Sequence, residues 1–199
     1  DISSVPVQMI ERIEIVKGAA SSSWGSALGG VINVITKEPQ VETPFEGMAS
    51  VSAGTRETVD ARAETGGTLD RLGYYLTVGK LRSDGLLPNN DANLESAYAK
   101  LRYELPAEGA LTLSSGYTDS KSGQVATETY HADLNARQLL TTLALHRPLP
   151  YRLSMDFSLQ SRRSTTKASI MNPAESRLYL AKTGKEQSYG GTFKLSWLG

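Results

Sequence analysis

Apolar and polar residues alternate with period two along most of the chain. Tyr151, Leu153, Met155, Phe157 and Leu159 share one parity, and Arg152, Ser154, Asp156, Ser158 and Gln160 take the other. From Tyr189 to Trp197 the pattern repeats, with Phe193, Leu195 and Trp197 set against Thr192, Lys194 and Ser196. Ala97, Ala99, Leu101 and Tyr103 oppose Ser96, Tyr98, Lys100 and Arg102, while Tyr74, Leu76 and Val78 oppose Tyr75, Thr77 and Gly79. Segments 45–54, 58–67, 110–118 and 137–146 follow the rule more loosely. Strict alternation puts side chains on opposite faces of an extended chain, so the pattern predicts eight antiparallel strands, each with one apolar face.

Alternation alone fits a soluble β-sandwich as well as a membrane barrel. The connections discriminate. They fall at 55–57, 68–72, 83–94, 105–109, 119–136, 147–150 and 161–187, and from the third onward every second one is long and polar. Outer-membrane barrels join strands by short periplasmic turns at one end and long extracellular loops at the other. Outward-parity Tyr74, Tyr103, Tyr151 and Trp197 lie near strand ends, with Tyr117 and Tyr189 at the opposite ends, as aromatic girdles require. The inward set, Arg62, Glu64, Lys100, Arg102, Arg152, Asp156 and Lys194, would be costly in a dry core and suits a wet lumen.

The first forty residues differ. Arg12-Ile-Glu-Ile-Val16 reads as a short strand stopped by Lys17-Gly18. A small-residue stretch follows, with glycine at 25, 29 and 30, and then a β-branched strand, Val31-Ile-Asn-Val-Ile-Thr36, ended by Lys37-Glu38-Pro39. The glycines match neither a Walker loop nor a dinucleotide fingerprint and are expected to serve tight turns and close packing. No Gly-x-Ser-x-Gly elbow marks Ser21, Ser22 or Ser23 as a nucleophile.

Ile10-Glu-Arg-Ile-Glu-Ile-Val-Lys-Gly18, then Trp24-Gly25, then Gly29-Gly-Val-Ile-Asn-Val-Ile-Thr-Lys37 resembles the end of the plug domain of TonB-dependent outer-membrane receptors. Family members typically show an Arg-Ile-Glu-Val strand, Arg-Gly-Pro, an aromatic-Gly pair and Gly-Gly-Val-Ile-Asn-Ile-Ile-Thr. This chain departs mildly: Lys17 stands for arginine, Ala19 for proline and Trp24 for tyrosine. The resemblance implies a mainly β chain with the end of a plug at 1–41 and the first part of a transmembrane barrel at 42–199. Such transporters have plugged barrels of about 22 strands, so eight would be roughly a third. It implies active uptake of a scarce nutrient such as an iron–siderophore complex or cobalamin, without bond-making chemistry. The implied partners are the TonB energy-coupling complex, through a box upstream of Asp1, a small-molecule or metal-chelate substrate, and outer-membrane lipid. Arg12, Glu14, Lys17, Gly18, Trp24, Gly25, Gly29, Gly30 and Asn33 then form a plug motif with a structural or coupling role. No ligand contact is assigned to Lys17–Gly30.

Composition narrows the alternatives. The chain has 199 residues, with 21 basic and 21 acidic side chains balancing to zero, which disfavours nucleic acid as a partner. The absence of cysteine removes disulfides, thiolate zinc sites and cysteine nucleophiles. No apolar run approaches the ~18 residues of a transmembrane helix, a test to which barrel strands are blind. Asp1–Pro6 lacks the features of a signal peptide, so the chain is either a mature start or an excerpt. His131 and His146 have no second ligand at metal spacing, and Asp119, Glu128 and Asp133 fall in ordinary polar loops. No catalytic group, metal site or cofactor is expected. Two other readings remain: a complete eight-stranded outer-membrane barrel with a structural or adhesive role, and a soluble β-sandwich binding module.

Overall fold

The computed structural model describes residues 9–18, 29–39, 43–125, 130–172, 174 and 177–197. Two strands, β1 (Ile10–Lys17) and β2 (Gly30–Thr36), form an antiparallel hairpin. The remaining eight are β3 (Glu46–Ala53), β4 (Val59–Leu69), β5 (Leu72–Ser83), β6 (Ala92–Leu105), β7 (Gly109–Val125), β8 (His131–Leu149), β9 (Leu153–Asn172) and β10 (Arg177–Trp197). They make one antiparallel sheet in which every strand pairs with its neighbours in sequence, and β3 and β10 are its open edges. This single meander is the wall of a barrel that does not close between β3 and β10. It is not the two packed layers of a sandwich.

The register carries the alternation across the sheet. One face runs Tyr103–Leu111–Leu145–Phe157–Phe193 from β6 to β10, and beside it Leu101–Leu113–Leu143–Leu159 from β6 to β9. The other face runs Glu64–Thr77–Tyr98–Gly116 and Tyr75–Lys100–Ser114–Thr142–Gln160. Burial is inverted relative to a soluble sheet. Thr77, Tyr98, Lys100 and Thr118 on the polar face are buried, whereas Leu76, Val78, Leu101, Leu113, Phe157, Phe193 and Leu195 on the apolar face are exposed. A continuous exposed apolar face of this size is unfavourable in water and favourable in lipid.

Two expectations need correction. First, 119–136 and 161–187 are mostly strand: β7 continues to Val125, β8 begins at His131, β9 continues to Asn172 and β10 begins at Arg177. Polarity marks where a chain leaves lipid, but it does not mark where a ladder ends. These segments are rich in Ser and Thr, and their strand portions 119–125, 131–136, 161–172 and 177–187 lie against partner strands, so backbone groups pair across the ladder. The asymmetry between the two ends of the sheet therefore lies in strand extension more than in loops. Second, Tyr151 and Arg152 do not open a strand. Both have positive φ, 62° and 58°, in the tight turn between β8 and β9. Arg152 thus leaves the inward set, and Tyr151 is a turn residue. Arg62, Glu64, Lys100, Arg102, Asp156 and Lys194 do share the polar face.

Candidate functional site at the junction of hairpin and sheet

The segment leaving β2 crosses the polar face of the sheet, and the polar groups there are arranged to hold it. Lys37 Nζ donates to both carboxylate oxygens of Glu64 at 3.0 and 2.8 Å, and the Tyr75 hydroxyl donates to the same carboxylate at 2.6 Å. The Tyr98 hydroxyl donates to Thr36 Oγ1 at 3.1 Å. Lys100 Nζ donates to Glu38 Oε1 at 2.8 Å and to the Thr36 carbonyl at 3.3 Å. Glu64, Tyr75, Tyr98 and Lys100 come from three adjacent strands, and register alone sets them side by side. The two tyrosine rings tilt against each other with centroids 6.3 Å apart. Charged pairs in this half-buried position hold more firmly than surface pairs because water screens them less.

Further along, the linker is threaded over glycine. A Cβ on Gly67 would lie 2.3 Å from the Pro44 carbonyl oxygen, and one on Gly73 would lie 2.8 Å from Pro39 Cβ. Thr68 N–H donates to the Thr43 carbonyl and the Tyr74 hydroxyl to the Pro44 carbonyl. The sequence offered only glycines inside strands as a signal, and such glycines mark a close backbone approach.

Within the hairpin, Glu14 pairs across the strands with Asn33. Its carboxylate accepts from Arg12 Nε at 3.0 Å and from the Asn33 amide at 3.3 Å. Arg12 and then Asn33 hold the Glu14 carboxyl below its ordinary pKa. Lys17 faces Gly30, whose φ of +134° and missing side chain let the Val16 carbonyl oxygen sit 2.5 Å from where a Cβ would be. Gly18 also has positive φ, whereas Gly29 has neither a positive φ nor any atom within 4 Å of a Cβ. Arg12, Glu14 and Asn33 are thus brought together on one face, and Lys17, Gly18, Gly29 and Gly30 gather at the end where the chain passes from β1 to β2. Trp24 and Gly25 lie outside the described residues.

His146 has a carboxylate partner that its sequence position hides: its Nδ1 lies 2.6 Å from Asp156 Oδ1 on the paired strand. Among the described residues no group of three or more metal-ligating side chains forms.

No protein-family model matches the chain. It is 33% identical over 122 residues to the iron-regulated outer membrane virulence protein of Vibrio cholerae, covering 56% of this chain and 18% of that protein. It is 31% identical over 138 residues to the ferric aerobactin receptor of Klebsiella pneumoniae, covering 65% of this chain and 18% of the receptor. The chain thus spans about a fifth of the length of these relatives. Among solved structures, the siderophore receptor PiuA of Acinetobacter baumannii superposes with a TM-score of 0.77 at 16% identity, over 96% of this chain and 32% of the other.

Fold and surface therefore define a piece of an outer-membrane β-barrel wall, with the segment leaving a small strand pair held against its polar face. Within that class the chain is similar to TonB-dependent outer-membrane receptors of the siderophore and cobalamin type, the family that residues 10–37 resemble.

Proposed function

We propose that this chain is part of a receptor that carries a scarce nutrient across the outer membrane of a Gram-negative cell at the expense of TonB-coupled energy. Residues 1–41 form the end of its plug, and 42–199 form the first strands of its barrel. The observation that carries this reading is the inverted sheet: its apolar face is exposed, and its polar face grips the segment leaving the hairpin through Glu64, Tyr75, Tyr98 and Lys100. A receptor needs both properties, a wall that faces lipid and a lumen that holds a removable stopper. The short turns at 70–71, 106–108 and 150–152 face the periplasm, and the extended polar ends of β7–β10 stand outside.

The substrate is an iron–siderophore complex or cobalamin. No reaction is catalysed; the protein binds and transports. Arg12, Glu14, Lys17, Gly18, Trp24, Gly25, Gly29, Gly30 and Asn33 have a structural or coupling role in the plug. The partner inside the cell envelope is TonB. Deleting the complete gene should abolish high-affinity uptake of one labelled ferric chelate or of cobalamin. A plasmid copy should restore uptake, and a protonophore should block it again. Unchanged uptake of every such compound in the deletion strain would defeat the proposal.

A further inference from the structure

The polar face carries a second charged cluster, beside the short turns and away from the junction. Asp156 on β9 stands directly between His146 on β8 and Lys194 on β10, paired in register with both. Its carboxylate turns to one of them. Oδ1 lies 2.6 Å from His146 Nδ1, and Lys194 has no ion pair among the described residues. His146 and Asp156 are half exposed, and Lys194 is exposed. The inward neighbours along the strands are uncharged: Ser154 and Ser158 on β9, Thr192 and Ser196 on β10. On the other side of His146, β7 supplies Ala110 and Thr112, and beyond them on β6 Arg102 is bound to Glu104 at 2.9 Å. Glu108 and Arg152 belong to the adjoining turns, and Arg147 takes the outward parity opposite Met155. Arg102, Thr112, His146, Asp156, Ser158 and Lys194 border a cavity of about 310 Å³.

A carboxylate with two cross-strand neighbours of different chemistry has two places to go. Histidine gains or loses its charge between pH 5 and 8, and lysine does not. A neutral imidazole offers Asp156 an uncharged donor, weaker than the ammonium on the opposite side, whereas an imidazolium offers an ion pair of its own. We propose that His146, Asp156 and Lys194 form a proton-operated relay. In acid Asp156 stays with His146, and Lys194 brings an unpaired charge to the cavity. At higher pH Asp156 turns to Lys194, and the cavity loses that cation. The inference rests on the receptor reading above, under which this face meets the plug: the Lys194 released in acid takes a plug carboxylate and holds the plug more firmly to the wall.

The test reads the relay directly in the complete receptor in detergent. A carbodiimide joins a carboxylate to an amine only where the two touch, and peptide mass spectrometry counts the Asp156–Lys194 product. The Glu95–Lys80 pair, 2.8 Å apart on strands without histidine, is the internal standard at each pH. From about pH 5.5 to about pH 7.5, across the histidine range, the normalised yield should rise roughly two- to fivefold in wild type, the span of a half-exposed ion pair. It should stay flat in His146→Gln, and His131→Gln, at the far end of β8, should follow wild type. A yield that does not move in wild type, or moves equally in His146→Gln, overturns the relay; if His146→Gln fails to fold, the wild-type and His131→Gln series decide. In cells, uptake in acid relative to neutral medium should be higher in Lys194→Gln than in wild type, and equal ratios overturn the hold on the plug. Each of these failures leaves the receptor reading intact while wild type still takes up its substrate. Absence of energised uptake by wild type in either medium would instead remove that reading.

Discussion

Lys100 reaches across from β6 to Glu38, 62 residues earlier in the chain, with Nζ 2.8 Å from the carboxylate and only 7% of its side chain exposed. The glutamate is half exposed, so the two ends of this pair differ in cost. Removing Glu38 leaves a buried ammonium with the Thr36 carbonyl as its remaining acceptor. Removing Lys100 leaves only a carboxylate that water can reach. Glu38→Ala should therefore destabilise the junction by about 1–2 kcal/mol, a buried-pair penalty discounted for exposure, and Lys100→Met by less. Proteolytic release of the segment leaving β2 in the folded receptor should rank the variants in that order.

Gly30 and Gly29 are neighbours with opposite tolerance. Gly30→Val would place a branched Cβ 2.5 Å from a backbone oxygen at a φ of +134°, costing of order 1–3 kcal/mol in strain alone. Gly29→Ala meets nothing within 4 Å. Uptake should fall in the first variant and hold in the second, while both insert normally, because the eight-stranded sheet makes no use of this turn. Normal growth of Gly30→Val on limiting substrate would refute the assignment.

Phe157 and Ser158 are adjacent and face opposite ways. Phe157 lies between Leu145 and Phe193 in the apolar row, and Ser158 lies between Ala144 and Thr192 on the polar face. Phe157→Arg should lower the folding stability of the complete barrel in lipid by ~2–4 kcal/mol, and Ser158→Arg by little. A denaturant titration giving equal effects would remove the lipid-facing assignment.

Topology can be read with single cysteines on this cysteine-free background. Ser169→Cys, on the extended end of β9, should react with an impermeant maleimide on intact cells. Glu108→Cys, in the turn before β7, should react only after the outer membrane is breached. The opposite pattern would invert the protein.

The hairpin should also show an acid limit. Because Arg12 and Asn33 hold the Glu14 pKa down, their contribution is fully present above the ordinary glutamate pKa of ~4.3. It is lost as pH falls through the lower folded-state value. Amide protection in the two strands, taken relative to the intrinsic exchange rate at each pH, should be flat from neutral pH to that point and fall below it. In Glu14→Gln the acid step should vanish. A step of equal size in that variant would assign it to another group.

Face assignment was legible because it depends only on period two. Arg62, Glu64, Tyr75, Tyr98 and Lys100 were placed inward by parity, and the register put them there. Strand ends were not legible, because Ser- and Thr-rich sequence reads as loop until a partner strand is known. Arg152 was misplaced for a local reason: the turn adopts left-handed backbone at two non-glycine residues, which parity counting cannot see. The junction escaped altogether. Nothing in Thr36-Lys37-Glu38 announces that its partners lie on three strands further along, and the pairing of His146 with Asp156 likewise becomes visible only across a turn.

The reach of the last hairpins has a consequence for whatever meets this protein from outside. β9 and β10 run 20 and 21 residues, about twice what a tilted strand needs to cross a bilayer. The surplus is a cross-braced parapet of paired backbone. A digestive enzyme must pull several residues into extended, unpaired form before it can cut, and here it would have to unzip the ladder first. An incoming solute meets a wall already in shape, so little ordering entropy is lost on contact.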